Sequence, residues 1–268
     1  MRSLLLILAL APAATAQVSP PPGRPDVAPP IQIRRPRDPW VFRCVIDRKP
    51  RMVTLALSDE LWVAYDATTC GIYKAWKGGV HFDGPVYTTV HGPQPTSVGP
   101  LYTEGFDGDV WEASVAGKVV PVHAVWRGYR LNGDHVALEY EIDLPGSRKV
   151  FVQESPEFVT PESLFDSARR EELVLADGHP GLLRNFLARD IPDDTKITLK
   201  LRTDAESKLA ETLERERFVD VVDEKGESRT QVISHLVLTR QRPTSNLVLF
   251  FAPLPAPPPE SKEEGEGK

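Results

Sequence analysis

The stretch that decides the fold is HVALEYEIDL, residues 135–144. Its apolar side chains occupy every second position, and the positions between them are mostly polar. An alternation with a period of two predicts a strand with one face buried and the other in water. The next residues, Pro145-Gly146, favour a type II turn, after which KVFVQE returns as the second strand of a hairpin. We expect one face to be buried together, namely Val136, Leu138, Tyr140, Ile142 and Leu144.

The same period recurs along the chain on both sides of this hairpin. TKITLKLRT, residues 195–203, places Ile197, Leu199 and Leu201 on one face. Turn signals separate such runs about every ten residues, which is typical of a β-sandwich. The fold class predicted is mainly β, an antiparallel β-sandwich or a large supersandwich. The other predicted strands are MVTLAL (52–57), LWVAYD (61–66), YKAW (73–76), VYTTV (86–90), VHAVWRGYRL (122–131) and residues 231–239.

Two short segments have the features of helices. Thr160-Pro161-Glu162 is a good N-cap and first turn for a helix that runs to about Glu172. Asp204 is a candidate cap for a second helix over residues 205–218, in which Leu209 and Leu213 share a face. The predicted fold therefore includes one or two short helices beside the sheets.

Both ends of the sequence differ in composition from the middle. Residues 1–16, MRSLLLILALAPAATA, have the charged start, short apolar core and small-residue cleavage site of a signal peptide. We therefore expect export, to the periplasm or the outside, and no membrane span, since the apolar run is shorter than a bilayer requires. Residues 17–37 are a proline-rich linker, residues 38–252 the β-sandwich domain, and residues 253–268 a proline-rich, acidic, disordered tail.

Charge and missing motifs exclude several classes of function. The formal net charge is −6, without a basic stripe, which argues against a nucleic-acid partner. The sequence has no Cys-x-x-Cys-His haem site, no Gly-x-Ser-x-Gly, no phosphate loop, no dinucleotide glycine pattern and no His-Glu-x-x-His. We therefore predict no cofactor and assign no catalytic residue.

The two cysteines, Cys44 and Cys70, leave two alternatives open. Export would place them where thiols oxidise, which allows a disulfide. Each also lies beside an apolar strand, where a free buried cysteine is common.

The densest polar and aromatic run is KAWKGGVHFDGPVYTTVHGPQPT, residues 74–96. Its glycines would let a ligand approach the backbone closely. Among the five tryptophans, most are expected in the core, and Trp76, between two lysines, is the one expected to be exposed and to stack on a sugar ring. The predicted ligand-binding residues are Trp76, Lys77, His81, Asp83, Tyr87, His91 and Gln94.

The same run offers a second interpretation. His81 and Asp83 would share a face of a strand, and with His91 from a neighbouring strand they could ligate a metal. The alternative is a surface hairpin with its histidines in water, and we favour it, so that no metal is predicted.

Residues 38–96 resemble a known group of proteins. DPWVFR, RMVTLAL, LWVAYD, YKAWKGGVHFDG and VYTTVHGPQPT are similar to the β-rich N-terminal region of large exported bacterial proteins. Those proteins often carry a c-type cytochrome domain, and some carry a glucose/sorbosone dehydrogenase-like propeller. The resemblance implies a redox association, but it assigns no catalytic residue. Because this sequence lacks a haem motif, electron transfer would require a separate cytochrome-bearing chain.

These observations favour a non-catalytic exported β-sandwich module whose partner is a carbohydrate or a redox protein of the cell envelope. One alternative is a metal-assisted hydrolase acting on glycans through His81, Asp83 and His91. Another is a structural envelope protein.

Overall fold

The computed structural model describes residues 38–82, 86–87, 92–160, 181–204, 208–210, 213–222 and 228–251, without the side chains of 202–234 and 250. These ranges contain strands, turns and no helix, and therefore no helix long and apolar enough to cross a membrane. The strands are β1 (Trp40–Ile46), β2 (Lys49–Ala56), β3 (Trp62–Asp66), β4 (Gly71–Trp76), β5 (Gly79–His81), β6 (Thr96–Val98), β7 (Leu101–Glu104), β8 (Trp111–Val115), β9 (Lys118–Val120), β10 (His123–Asn132), β11 (His135–Leu144), β12 (Arg148–Val159), β13 (Gly181–Arg189), β14 (Thr195–Asp204), β15 (Lys208–Ala210), β16 (Leu213–Val222), β17 (Ser228–Thr239) and β18 (Thr244–Phe250).

The strands form three large antiparallel sheets and one small ribbon. The first sheet has the order β1-β2-β3-β4-β7, the second β10-β11-β12-β13-β18-β15, and the third β16-β17-β14-β8-β9. The ribbon pairs β5 with β6. The predicted mainly-β, antiparallel, sandwich-like fold is confirmed.

One hydrophobic core joins all three sheets. Leu55 of the first sheet, Leu138 of the second and Leu199 of the third belong to the same buried cluster. The predicted face of β11 is confirmed, because Val136, Leu138, Tyr140, Ile142 and Leu144 are all buried in it. The predicted turn is confirmed in its decisive feature, the positive φ of 76° at Gly146.

The second predicted helix is wrong. Asp204 ends β14, where it pairs with Gln231, and the residues that follow include β15 and β16. A helix there would have buried only a narrow apolar stripe, whereas β16 pairs with β17 along most of its length and satisfies its backbone groups. The first predicted helix lies outside the described residues beyond Thr160. Of the predicted strand 86–90, residues 86 and 87 form a bend and the rest lie outside the described residues.

The two cysteines are free thiols on opposite faces of the first sheet. Cys44 packs with Ile46 and Met52, whereas Cys70 belongs to the main core. The disulfide alternative therefore does not occur in the structure, because the thickness of the sheet separates the two sulfur atoms. Burial raises the pKa of Cys44 to about 11 and that of Cys70 to about 12.

Candidate functional site

The segment predicted to be the site covers the outer face of the first sheet. The Val45 amide donates to the Val86 carbonyl at 2.8 Å, and the Asp47 amide donates to the Pro95 carbonyl at 3.0 Å. The Asp47 carboxylate also accepts from the Ser97 amide and hydroxyl, both at 2.9 Å. These contacts tie the described residues 77–82, 86–87 and 92–100 to the β1–β2 hairpin, and we call those residues the strap.

Trp76, which ends β4, is buried beneath the strap, and its predicted exposure is wrong. The side chain is only 1% exposed, and its Nε1 donates to the Gly79 carbonyl at 2.8 Å. The ring packs with that of Trp62 at a centroid distance of 6.1 Å, within a cluster that Trp40 and Phe42 border. A ring that neighbouring side chains and the strap cover on the outer face of the sheet cannot stack on a sugar.

Two glycines of the strap, Gly78 and Gly99, serve the fold. A Cβ on Gly78 would lie 2.3 Å from the Val98 carbonyl oxygen, and one on Gly99 would lie 2.0 Å from the Lys77 carbonyl oxygen. Both residues have positive φ, 123° and 112°. They therefore permit the backbone of residues 77–78 to approach that of residues 98–99 closely. From the sequence, we had expected a ligand to make such a close approach.

The remaining predicted site residues are spread over the strap. Lys77 pairs with Glu60 at 2.6 Å, and half-buried His81 stands opposite Thr96 in the ribbon. Tyr87 is 82% exposed. The Gln94 Oε1 is buried without a hydrogen-bond partner. Asp83 and His91 lie outside the described residues.

The metal-site hypothesis has little geometric support in the described chain. Within those residues, no three His, Cys, Asp or Glu side chains are grouped so that they could hold a metal ion. Two of the three proposed ligands are not among those residues, so that the hydrolase stays a prediction.

A buried cluster of charged and aromatic residues links the first and second sheets. Glu154 is fully buried and accepts hydrogen bonds from Arg184 Nε at 2.6 Å and from Arg184 Nη2 at 3.1 Å. The hydroxyls of Tyr65 and Tyr140 donate to the same carboxylate at 2.5 and 3.0 Å. Burial and the nearby Glu154 charge hold the pKa of both tyrosines well above its usual value. Each carboxylate oxygen has two donors, so that the cluster is a closed internal brace.

A small cavity touches this brace but offers little space. It has a volume of about 40 Å³ and is lined mainly by apolar side chains such as Leu182, Leu199 and Leu249, with Arg184 at its wall. That volume suits about one water molecule. The brace is therefore closed to a substrate of ordinary size.

An open groove lies at the edge between the first and second sheets. A groove of about 670 Å³ separates the β1–β2 end of the first sheet from β10, the edge strand of the second. We call it the edge groove. Its side chains include two aromatics, three arginines, a histidine and a threonine, namely Trp126, Tyr129, Arg43, Arg51, Arg127, His123 and Thr68.

The alternation of β1 and β2 directs two of these arginines into the edge groove. Arg43 lies two residues after Val41, and Arg51 lies two residues before Val53; both valines belong to the core. In a regular strand, side chains two residues apart lie on the same face of the sheet. Arg43 therefore points to the inner face of the first sheet, and Arg51 reaches the same groove from a bulge in β2. Both are exposed because they lie at the margin of the core. A charged residue at an inward strand position is the sequence signal that could have identified them.

Two β-bulges flank the edge groove. In the first hairpin, Pro50 and Arg51 stand opposite Val45 alone, between the pairs Cys44–Met52 and Ile46–Lys49. In β10, Arg127 is the extra residue between Trp126, opposite Tyr140, and Gly128, opposite Glu139. Bulges redirect side chains and are frequent beside binding sites.

A second groove crosses the outer face of the second sheet. It has a volume of about 410 Å³ and shares Arg127 with the edge groove. Two of its arginines form ion pairs, because Arg130 pairs with Glu139 at 2.9 Å and Arg127 pairs with Glu141. Lys149 joins the same Glu141 carboxylate at 2.8 Å. Because two of its three arginines are already paired, this surface is a weaker candidate than the edge groove.

Comparison with known proteins adds no functional assignment. No protein-family model and no curated protein matches the chain. Among solved structures, the crystal structure of 4-alpha-glucanotransferase from Thermococcus litoralis aligns over 82% of this chain and 40% of that chain, with 8% identity and a TM-score of 0.34. A likeness this distant supports no argument about fold or function. The resemblance of residues 38–96 to the N-terminal region of cytochrome-bearing proteins therefore stays a prediction, and the chain is assigned to no family.

Proposed function

We propose that this chain is an exported, non-catalytic β-sandwich module that binds carbohydrate in the edge groove. The observation that carries the proposal is the combination, in one open groove, of the aromatic rings of Trp126 and Tyr129 with guanidinium and hydroxyl donors. Sugar rings stack on aromatic faces, and their hydroxyls pair with polar side chains around them. A volume of about 670 Å³ falls in the range of small-ligand sites.

The edge position of the groove fits a polymeric ligand. β10 is the outer strand of its sheet, and consecutive residues from His123 to Tyr129 line the groove. A groove that follows a strand presents an elongated surface, which suits several units of a chain. Tyr129 is 37% exposed, so that its ring is accessible, while Trp126 is anchored against the core.

The test compares two exposed tyrosines. Full-length protein is screened by affinity electrophoresis against a panel of neutral and acidic polysaccharides. Tyr129→Ala is expected to abolish retention, because it removes one of the two stacking rings. Tyr87→Ala removes a more exposed ring from the strap and is expected to retain binding.

The opposite result would place the site on the strap. If Tyr87→Ala lost retention while Tyr129→Ala kept it, the edge groove would not be the site. Melting temperatures of both variants, expected to equal that of the unaltered protein within a few degrees, separate loss of a site from loss of the fold. Absence of retention by every polysaccharide would refute the proposed function.

The redox-protein partner and the structural envelope role stay predictions. No described contact favours either one over carbohydrate binding. A pull-down from envelope extract tests both, since each predicts a captured protein and no dependence on Tyr129.

A further inference from the structure

Two of the three arginines of the edge groove, Arg43 and Arg51, are not needed to balance charges within the fold. Arg43 and Arg51 are exposed, and neither forms an ion pair or side-chain hydrogen bond in the described part of the chain. Arg127, in contrast, already pairs with Glu141. Two guanidinium groups with all their donors free thus face the same groove.

Among the described residues, no acidic side chain lines the edge groove, although the protein as a whole carries a net charge of −6. The nearest acid in sequence to the lining, Asp66, directs a carboxylate oxygen to the Thr68 amide at 2.7 Å and to its hydroxyl at 2.5 Å. The groove is therefore a local positive site on an acidic molecule, which is the arrangement that attracts an anion.

The backbone of Arg51 is unusual for an arginine. Its φ of 61° lies in the left-handed region, where glycine is favoured. Among the described residues, the other non-glycine positions with positive φ lie between strands, whereas Arg51 lies within β2. An exposed arginine that contributes no ion pair and occupies an unfavourable conformation indicates a role for its side chain outside folding.

We propose that the edge groove recognises an anionic polysaccharide, with Arg43 and Arg51 binding carboxylate or sulfate groups while Trp126 and Tyr129 stack on the sugar rings. This inference rests on the proposed function and adds the chemical class of the ligand. Guanidinium groups bind such anions through paired, charge-assisted hydrogen bonds. The bulges at Arg51 and Arg127 position the charges on the two walls of the groove.

The experiment measures the affinity of the full chain for four polymers by affinity electrophoresis and calorimetry. Polygalacturonate supplies carboxylates, dextran sulfate supplies sulfates, dextran is the neutral control, and single-stranded poly(dT) tests a nucleic acid. We expect binding to one or both acidic polysaccharides and none to dextran or poly(dT). Preference between the first two identifies the anionic group.

Charge-matched double variants test the residues. Arg43→Gln/Arg51→Gln is expected to weaken binding at least about tenfold, because each lost charged hydrogen bond is worth more than a neutral one. Arg48→Gln/Lys118→Gln removes the same net charge from exposed positions outside the groove and is expected to change affinity by less than about twofold. In 1 M salt, where the Debye length falls to about 3 Å, binding should weaken strongly.

Four results would overturn the inference. An equal loss of affinity in both double variants would show that binding depends on the overall charge of the protein. Binding of poly(dT) as strong as that of the acidic polysaccharides would show a site for any polyanion. Binding to dextran that depends on Tyr129 but not on Arg43 or Arg51 would leave the proposed function intact and refute the anionic ligand. Failure of all three polysaccharides would refute both.

Discussion

Arginine is used in opposite ways in two regions of this protein. In the buried brace, Arg184 is 4% exposed, pairs with Glu154, and stacks over Phe186 with its guanidinium carbon 5.0 Å from the ring centroid. In the edge groove, Arg43 and Arg51 are exposed and pair with no described residue. Each of the three arginines lies two residues away from a core residue of the same strand.

The difference shows that position within a sheet decides what an inward charge does. Arg184 lies in β13, with β12 and β18 on either side, so that water is excluded and a partner is required. Arg43 and Arg51 lie where the first sheet faces an edge strand, so that water solvates them at little cost. An inward arginine is therefore a brace in the centre of this fold and a binding group at its margin.

The largest expected effect on stability comes from removing one partner of the ion pair in the brace. Glu154→Leu leaves Arg184 buried without its counter-ion and should lower the free energy of unfolding by about 3–5 kcal/mol. Adding Arg184→Met removes the unpaired charge and should recover much of that loss. Urea unfolding of the two single variants and the double variant gives both numbers. A cost below about 1 kcal/mol for Glu154→Leu would show that the brace does not differ from the groove.

The next largest expected effect on stability compares a leucine in the core with a leucine at the margin of the core. Leu138 is fully buried, whereas Leu131 on the neighbouring strand is 36% exposed. Leu138→Ala should cost about 2–5 kcal/mol through lost burial and a cavity, and Leu131→Ala about 1 kcal/mol or less. Chemical denaturation measures both, and equal costs would contradict the assigned margin of the core.

The brace also predicts a dependence on alkaline pH. Burial and the Glu154 charge raise the pKa of Tyr65 and Tyr140 in the folded state, so that the folded protein holds these protons more tightly than the unfolded chain does. The resulting stability is fully present below the unfolded pKa, about 10, and is lost as the pH rises toward the folded pKa.

Tyr65→Phe/Tyr140→Phe is the matched variant for this dependence. Its stability at neutral pH should be lower, because two hydrogen bonds to Glu154 are lost. Its further decline above about pH 10 should be shallower than that of the unaltered protein. Denaturation curves at several values between pH 8 and 11.5 check the slopes, and parallel curves would exclude the two tyrosines as the cause.

The smallest expected effect on stability comes from a variant in the edge groove, which should stabilise the fold instead of destabilising it. Arg51→Gly relieves a left-handed φ of 61° and should stabilise the fold by up to about 1 kcal/mol, while acidic polysaccharide is no longer retained. Arg43, whose φ is not positive, is the control. Arg43→Gly should destabilise by about 0.5–1 kcal/mol. Thermal unfolding of the two variants would show whether an arginine at position 51 lowers the stability of the fold.

Much of the fold could be predicted from the alternation of residues. The face of β11 and the inward side chains Ile197, Leu199 and Leu201 of β14 are buried as expected. Residues 208–210 and 213–218 were assigned wrongly to a helix, because the weak helical preference there is overridden by pairing with β18 and β17. The predicted site was misplaced for a similar reason: Trp76 has a polar sequence context, but the strap covers it.

The sequence by itself determined many of the strands, including the inward faces of β11 and β14 and the turn after β11, since these depend on side chains two or three residues apart. It also contained the anomaly of arginines at apolar positions, without indicating which would be paired. Only the tertiary structure decided that Arg184 meets Glu154, 30 residues away, and that Arg43 and Arg51 border a groove beside β10. Sheet order and edges arise from contacts between distant segments, so that the access of water to an inward charge is a property of the assembled sheets.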